Sequence, residues 1–82
     1  MLTLNLKRKY KSHYELNSGN LEIKVVNPFK SNGLGTDAWN LVIELIDYKA
    51  DIYIYESFWF DTKKEASMAG ADWVVENMKI IK

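Results

Sequence analysis

The sequence contains no cysteine, a single histidine and a single proline. Without cysteine it has no disulfide, no thiolate nucleophile and no cysteine-ligated zinc or iron–sulfur centre. No hydrophobic run approaches the roughly 20 residues that span a bilayer, and the N-terminus has neither a signal-peptide nor a transit-peptide pattern. We therefore expect a cytoplasmic protein that holds no metal or other cofactor and does not contact a membrane.

Length and composition favour one small globular domain. The 82 residues are 48% hydrophobic, 13% aromatic and 27% charged, which is typical of a compact domain and not of a disordered segment. Aromatic side chains help a small core, because each buries about 150–250 Å². We expect residues 1–82 to form a single domain, and the initiating Met and terminal Lys suggest a complete chain.

Charge is unevenly distributed, although the formal net charge is zero. Residues 1–30 carry six lysines and arginines against two acidic residues, and residues 31–82 carry five against nine. The densest basic cluster consists of Lys7, Arg8, Lys9 and Lys11, with His13 close behind. Such a cluster either neutralises nucleic-acid phosphates or forms a solvated strand edge, where lysines discourage sheet-to-sheet aggregation.

The N-terminal third has the alternation of β-strands. Leucines at every second position of residues 2–6 predict one strand face, and residues 14–16 continue extended. Residues 17–20 are strong turn formers, and residues 21–25 alternate again, so we predict a β-hairpin.

Two longer strands follow a predicted loop over residues 28–37. Residues 38–47 are apolar on both faces, which is typical of a central strand. Residues 48–51 form the next turn, and residues 52–60 form a strand whose two faces both carry large side chains. One face includes Tyr53, Tyr55 and Trp59, which either pack under the N-terminal hairpin or remain exposed.

A helix is predicted over residues 63–78. Thr62 and Glu65 have the spacing of a capping box, in which the Thr62 hydroxyl accepts the Glu65 amide and Glu65 reaches back to the Thr62 amide. The helix has two apolar stripes, of which the first should face the sheet. The second lies nearly opposite to the first, and either the hairpin covers it or another protein contacts it. The first stripe is Ala66, Ala69, Gly70, Trp73 and Val74, and the second is Met68, Ala71 and Val75.

These elements predict an α+β fold, an antiparallel sheet of about four strands with one C-terminal helix packed on it. The run Phe60-Asp61-Thr62-Lys63-Lys64-Glu65-Ala66, with Ala69 and Trp73 after it and Trp39 and Ile43 before it, resembles a known module. Over about residues 38–74 the chain is similar to the plant ethylene-response-factor DNA-binding domain and to the arm-DNA-binding domain of phage integrases. The resemblance implies a three-stranded sheet on one helix and a role in DNA binding. That family reads DNA with arginines on its sheet, whereas residues 33–38 contain none.

The sequence does not favour an enzyme. His13 is the only histidine and lies among lysines, and turns or a helix start explain the acidic residues at 47, 51 and 61. A non-catalytic module with a phage-integrase-like corner suggests a mobile-element protein that acts, as a monomer or homodimer, by binding a larger protein or nucleoprotein. The concrete hypothesis is an inhibitor of a host defence nuclease, similar in style to anti-CRISPR proteins. Its predicted contact residues are Tyr53, Tyr55, Trp59, Met68 and Val75, since exposed aromatic and Met side chains are enriched at interfaces.

The alternative is a small DNA- or RNA-binding protein. In this interpretation Lys7, Arg8, Lys9 and Lys11 follow the phosphate backbone, and the aromatic side chains of residues 53, 55 and 59 stack on bases.

Overall fold

A computed structural model describes residues 4–10, 12–28 and 38–81. It has five strands and a C-terminal helix, so the predicted α+β fold is confirmed. Predictions that concern Leu2, Lys11 and the loop at 29–37 lie outside the described residues. The elements are β1 (Lys7–Tyr10), β2 (His13–Ser18), β3 (Leu21–Val26), β4 (Trp39–Asp47), β5 (Ile52–Phe60) and α1 (Lys63–Glu76).

The strands form one antiparallel sheet in chain order, β1-β2-β3-β4-β5. The sheet therefore has two edges, β1 and β5, and the strand predicted to be central, β4, does lie between two neighbours. The first strand was placed wrongly, because residues 4–6 are not in a strand and pairing begins at Lys7, opposite Glu15. A turn containing Ser12, with φ of 59°, divides the N-terminal segment into two strands and so sets the pairing. Leu4 and Leu6 pack instead against the core.

Two tight connections shape the rest of the sheet. Gly19 takes φ of 58° at the first position of the two-residue turn between β2 and β3, a conformation that glycine adopts without strain. Between β4 and β5, the Asp47 carboxylate accepts the backbone N–H groups of Lys49 and Ala50 at 3.1 and 3.2 Å. This side-chain cap closes the turn at the predicted position, and β5 has the predicted bounds.

The helix begins as predicted and ends two residues earlier. The Thr62 hydroxyl accepts the Glu65 backbone N–H at 3.1 Å, as a capping box requires, but Glu65 Oε1 accepts from that same hydroxyl at 3.1 Å rather than from the Thr62 amide. At the other end, the Asn77 backbone N–H donates to the carbonyls of Trp73 and Val74, and its side-chain amide donates to Trp73 as well. The bond to Trp73 is the last i→i−4 bond of the helix, and the bond to Val74 tightens the final turn. Asn77 itself has φ of −118° and ψ of 22°, outside the helical region, so α1 ends at Glu76.

One face of the sheet packs on α1 and forms the core. A Cβ on Gly70 would meet Leu4 Cδ1 at 2.9 Å and Leu41 Cδ1 at 3.3 Å, so glycine permits the close approach of helix and sheet. The first helix stripe packs as predicted, with Ala66 and Gly70 buried. The buried core residues are Leu21, Ile23, Val25, Trp39, Leu41, Ile43, Leu45 and Ala66.

The opposite face of the sheet carries no described element, and we call it the open face. The N-terminal hairpin, which contains β2 and β3, lies within the sheet beside β4, and β1 extends the sheet beyond it. No strand of the hairpin folds over β5. Of the two predicted alternatives, packing of Tyr53, Tyr55 and Trp59 under this hairpin is therefore wrong, and the three side chains are exposed. The hairpin also leaves most of the second helix stripe uncovered, because Ala71 is buried while Met68 and Val75 are exposed.

Candidate protein-binding surface

The open face of β5 presents a row of aromatic side chains. Because side chains alternate along a strand, Tyr53, Tyr55, Ser57 and Trp59 share this face. Tyr53, Tyr55 and Trp59 are 65%, 57% and 56% exposed. The structure therefore brings three of the five predicted protein-contact residues into one accessible row along a sheet edge.

The neighbouring strand supplies a polar and aliphatic border to this row. On β4, Asn40 lies opposite Trp59 and Glu44 lies opposite Tyr55. The Asn40 side-chain amide donates to Ser57 Oγ at 2.8 Å and to the Phe58 carbonyl at 3.0 Å. These bonds link β4 to β5 beside the aromatic row.

Glu44 links the border to Tyr53. The Tyr53 hydroxyl donates to Glu44 Oε2 at 3.3 Å. Partial desolvation by neighbouring groups, followed by the Glu44 charge and this hydrogen bond, raises the pKa of the Tyr53 phenol above its ordinary value. Tyr53 is thus a neutral hydrogen-bonding aromatic group at physiological pH.

Charged residues occupy the middle of the open face. Glu22 on β3 lies directly opposite Glu44 on β4, a like-charge pair that is unfavourable by itself. Lys24 Nζ lies 3.1 Å from Glu22 Oε1, and this hydrogen bond, with the Glu22 charge, raises the pKa of Lys24. A mixed-charge strip therefore separates the aromatic row from the N-terminal strands.

A groove lies on the other side of β5, between this strand and α1. Its volume is about 280 Å³. The indole Nε1 of Trp73 donates to Glu56 Oε2 at 2.6 Å and so connects helix and strand within it. Apolar side chains form its floor and carboxylates stand at its rim. The lining residues are Leu41, Ile43, Phe58, Phe60, Ala69, Asp72, Trp73 and Glu76.

The two helix residues predicted as protein contacts, Met68 and Val75, do not lie beside the aromatic row. Met68 and Val75 are 45% and 53% exposed, but α1 covers the face of the sheet opposite to the open face. The sheet itself separates them from Tyr55 and Trp59. The predicted contact residues therefore form two surfaces on opposite sides of the molecule.

The predicted basic residues lie at the far edge of the sheet. Lys7, Arg8 and Lys9 are all exposed in β1, whereas Lys11 is outside the described residues. Since neighbouring strands are about 4.8 Å apart, β1 lies about 19 Å from β5 across the sheet. The structure thus does not bring the basic cluster and the aromatic row together.

His13 is half-buried at this basic end. It pairs with Tyr10 edge to face, with ring centroids 5.6 Å apart, and its Nε2 lies 3.4 Å from Glu15 Oε1. In the described part of the chain, no three His, Cys, Asp or Glu side chains are grouped so that they could hold a metal ion. None of the helices within the described ranges has the length and apolar character needed to cross a membrane.

Sequence reasoning missed the groove between β5 and α1. Asp72 and Glu76 follow the helical spacing of i and i+4 and share a flank with Ala69 and Trp73, which is visible in the sequence. Whether this flank lines a groove at the sheet edge depends on how α1 packs over β5. Such packing is a tertiary property that the local sequence does not show.

No family model matches the chain, and neither the curated proteins nor the solved structures contain a match to it.

Proposed function

We propose that the protein is a small non-catalytic binding protein that acts through β5 on a larger protein or nucleoprotein. The observation that carries this proposal is the aromatic row of Tyr53, Tyr55 and Trp59, exposed on a sheet face that no described element covers. Aromatic side chains supply large contact areas at little entropic cost, and they are enriched among the residues that dominate binding energy.

The concrete form of this proposal is an inhibitor of a host defence nuclease encoded by a phage or another mobile element. The acidic character of residues 31–82, which include β4, β5 and α1, supports a target with a basic surface such as a nucleic-acid-binding groove. The resemblance of residues 38–74 to phage-integrase arm domains is the basis for the mobile-element assignment, and it stays a prediction.

The test is capture of partners from host lysate, with and without nuclease treatment, by the tagged protein. A protein captured in stoichiometric amount after nuclease treatment is the expected result. Substitution of Tyr55→Ala with Trp59→Ala should abolish the capture. Substitution of Met68→Ala with Val75→Ala, on the opposite side of the molecule, is the matched control and should preserve it.

If Met68→Ala with Val75→Ala abolished capture while Tyr55→Ala with Trp59→Ala preserved it, the binding would be assigned to the helix and the proposal would be contradicted. Capture that disappears on nuclease treatment would also contradict it.

A second candidate, binding of DNA or RNA, is favoured by one observation. Lys7, Arg8 and Lys9 are exposed side by side along the β1 edge. Against it, the open face between β1 and the aromatic row carries Glu15, Glu22 and Glu44 against the one charge of Lys24, which pairs with Glu22, so on balance this strip would repel a phosphate backbone.

This candidate has its own salt-dependence test. Arg8→Ala and Lys9→Ala should weaken binding and reduce the slope of log K against log salt by about one for each lost phosphate contact. An interaction insensitive to salt would exclude this candidate.

A further inference from the structure

The outer edge of β5 has backbone groups that point away from the sheet. The Ile46 backbone N–H donates to the Asn20 carbonyl at 3.1 Å, so the backbone groups of Ile46 face β3. Because the direction alternates along an antiparallel strand, those of Leu45 face β5, where Leu45 pairs with Ile54. The backbone N–H and C=O groups of Tyr53, Tyr55 and Ser57 therefore point outward, beyond the sheet.

The two edges of the sheet differ in their protection. β1 has four residues, three of them cationic, and an irregular register, features that prevent another strand from adding to an edge. β5 has nine residues in unbroken register with β4, no lysine, no arginine and no proline. Within the described residues β5 pairs with β4 alone, so its edge has the properties of a template for a further strand.

The charge beside this edge selects the kind of strand. The groove along β5 is rimmed by Asp72 and Glu76, both exposed, and Glu56 lies within the strand. Neither a lysine nor an arginine is among the described residues that line it. Lys63 of the same helix points elsewhere, since its Nζ lies 3.7 Å from the ring centroid of Tyr14 on β2.

A second copy of the chain is a poor occupant of this edge. Antiparallel pairing of two β5 strands about a twofold axis would place both helices on the same face of the joined sheet. Asp72, Glu76 and Glu56 of one copy would then approach the same three carboxylates of the other. Like charges brought together at an interface oppose association.

We propose that β5 binds an extended segment of a partner protein by strand addition, and that this segment alternates apolar residues with lysine or arginine. Its backbone pairs with Tyr53, Tyr55 and Ser57. Because successive side chains of a strand point to opposite faces, the basic side chains of the segment lie on the helix side, where they meet Asp72 and Glu76, and its apolar side chains lie on the open face beside Tyr55. This inference rests on the proposed function, because it specifies how the partner meets β5.

The test uses a nine-residue blocked peptide of alternating lysine and valine as the probe, titrated into the full chain by calorimetry. The matched control peptide alternates glutamate and valine. Binding of the lysine peptide, with at least about tenfold weaker binding of the glutamate peptide, is expected from charge complementarity. Equal binding of both peptides, or binding of neither, overturns the inference.

Two variants separate the backbone contribution from the charge contribution. Ser57→Pro removes an outward N–H without disturbing the ladder to β4, and it should abolish peptide binding, whereas Ser57→Ala should not. The double variant Asp72→Lys with Glu76→Lys should weaken binding of the lysine peptide by at least about tenfold. Because it changes no strand residue, it remains informative if the proline variant fails to fold. Unchanged binding in the folded variants contradicts strand addition.

The inference and the proposed function fail in different ways. If the peptide does not bind while capture from lysate still requires Tyr55 and Trp59, strand addition is wrong and the proposed function stands. Sedimentation of the protein alone should give a monomer at all concentrations. A dimer that Ser57→Pro dissociates would show that a second copy occupies the edge, and this too would overturn the inference.

Discussion

At the scale of single residues, Trp73 has the most consequential position. Its ring belongs to the apolar side of α1 that packs on the core, while its indole N–H donates to Glu56 on β5. A tryptophan that is largely covered needs a partner for this N–H, and the short charge-assisted bond supplies it. The same contact fixes the wall of the groove beside β5.

Trp73→Phe should lower the free energy of unfolding by about 1–3 kcal/mol, since it removes the bond to a charged group and part of the buried ring. Urea denaturation followed by circular dichroism measures this change. Tyr55→Phe is the control, because Tyr55 lies exposed on the open face, and it should change the free energy by less than about 0.5 kcal/mol. Equal losses in the two variants would contradict the role assigned to Trp73.

At the scale of elements, local patterns predicted most of the sheet and helix. The unbroken alternation of residues 52–60 gave the bounds of β5, and Thr62 with Glu65 gave the start of α1. The first strand could not be placed in this way. Leucine alternation at residues 2–6 indicates burial, but strand pairing depends on the turn at Ser12, which no strong turn pattern marks.

For the candidate site too, local sequence patterns could not predict how the elements pack against one another. Alternation placed Tyr53, Tyr55 and Trp59 on one face of β5, but it could not decide which face the N-terminal hairpin would cover. That outcome depends on whether the hairpin folds over the sheet or extends it, and both arrangements bury apolar side chains of the hairpin. Local chemistry also does not show that Met68 and Val75 lie across the sheet from this row.

The N-cap of α1 is a local feature with a testable energy. Thr62→Ala should reduce the free energy of unfolding by about 1 kcal/mol, because the Glu65 backbone N–H loses its hydroxyl acceptor. Thermal or urea unfolding measures the change. Thr62→Ser retains the hydroxyl and should restore nearly all of the stability, and a serine variant as unstable as the alanine variant would show that the cap is not the cause.

At the scale of the whole molecule, the protein is asymmetric in two respects. One sheet face carries the helix and the core, and the other exposes aromatic side chains beside a mixed-charge strip. One sheet edge is short, basic and irregular, and the other is long, regular and flanked by carboxylates. Both asymmetries support the proposal that β5 is the binding element, because the exposed aromatic row, the outward backbone groups and the acidic groove meet along its nine residues.

Hydrogen exchange of the protein, free and bound to the partner captured from lysate, tests this account most directly. We predict that the backbone amides of Tyr53, Tyr55 and Ser57 exchange quickly in the free protein and become protected in the complex, while those of the β1 edge and of α1 around Met68 and Val75 change little. Protection confined to Lys7–Tyr10 or to the outer face of α1, with β5 unchanged, would contradict the account.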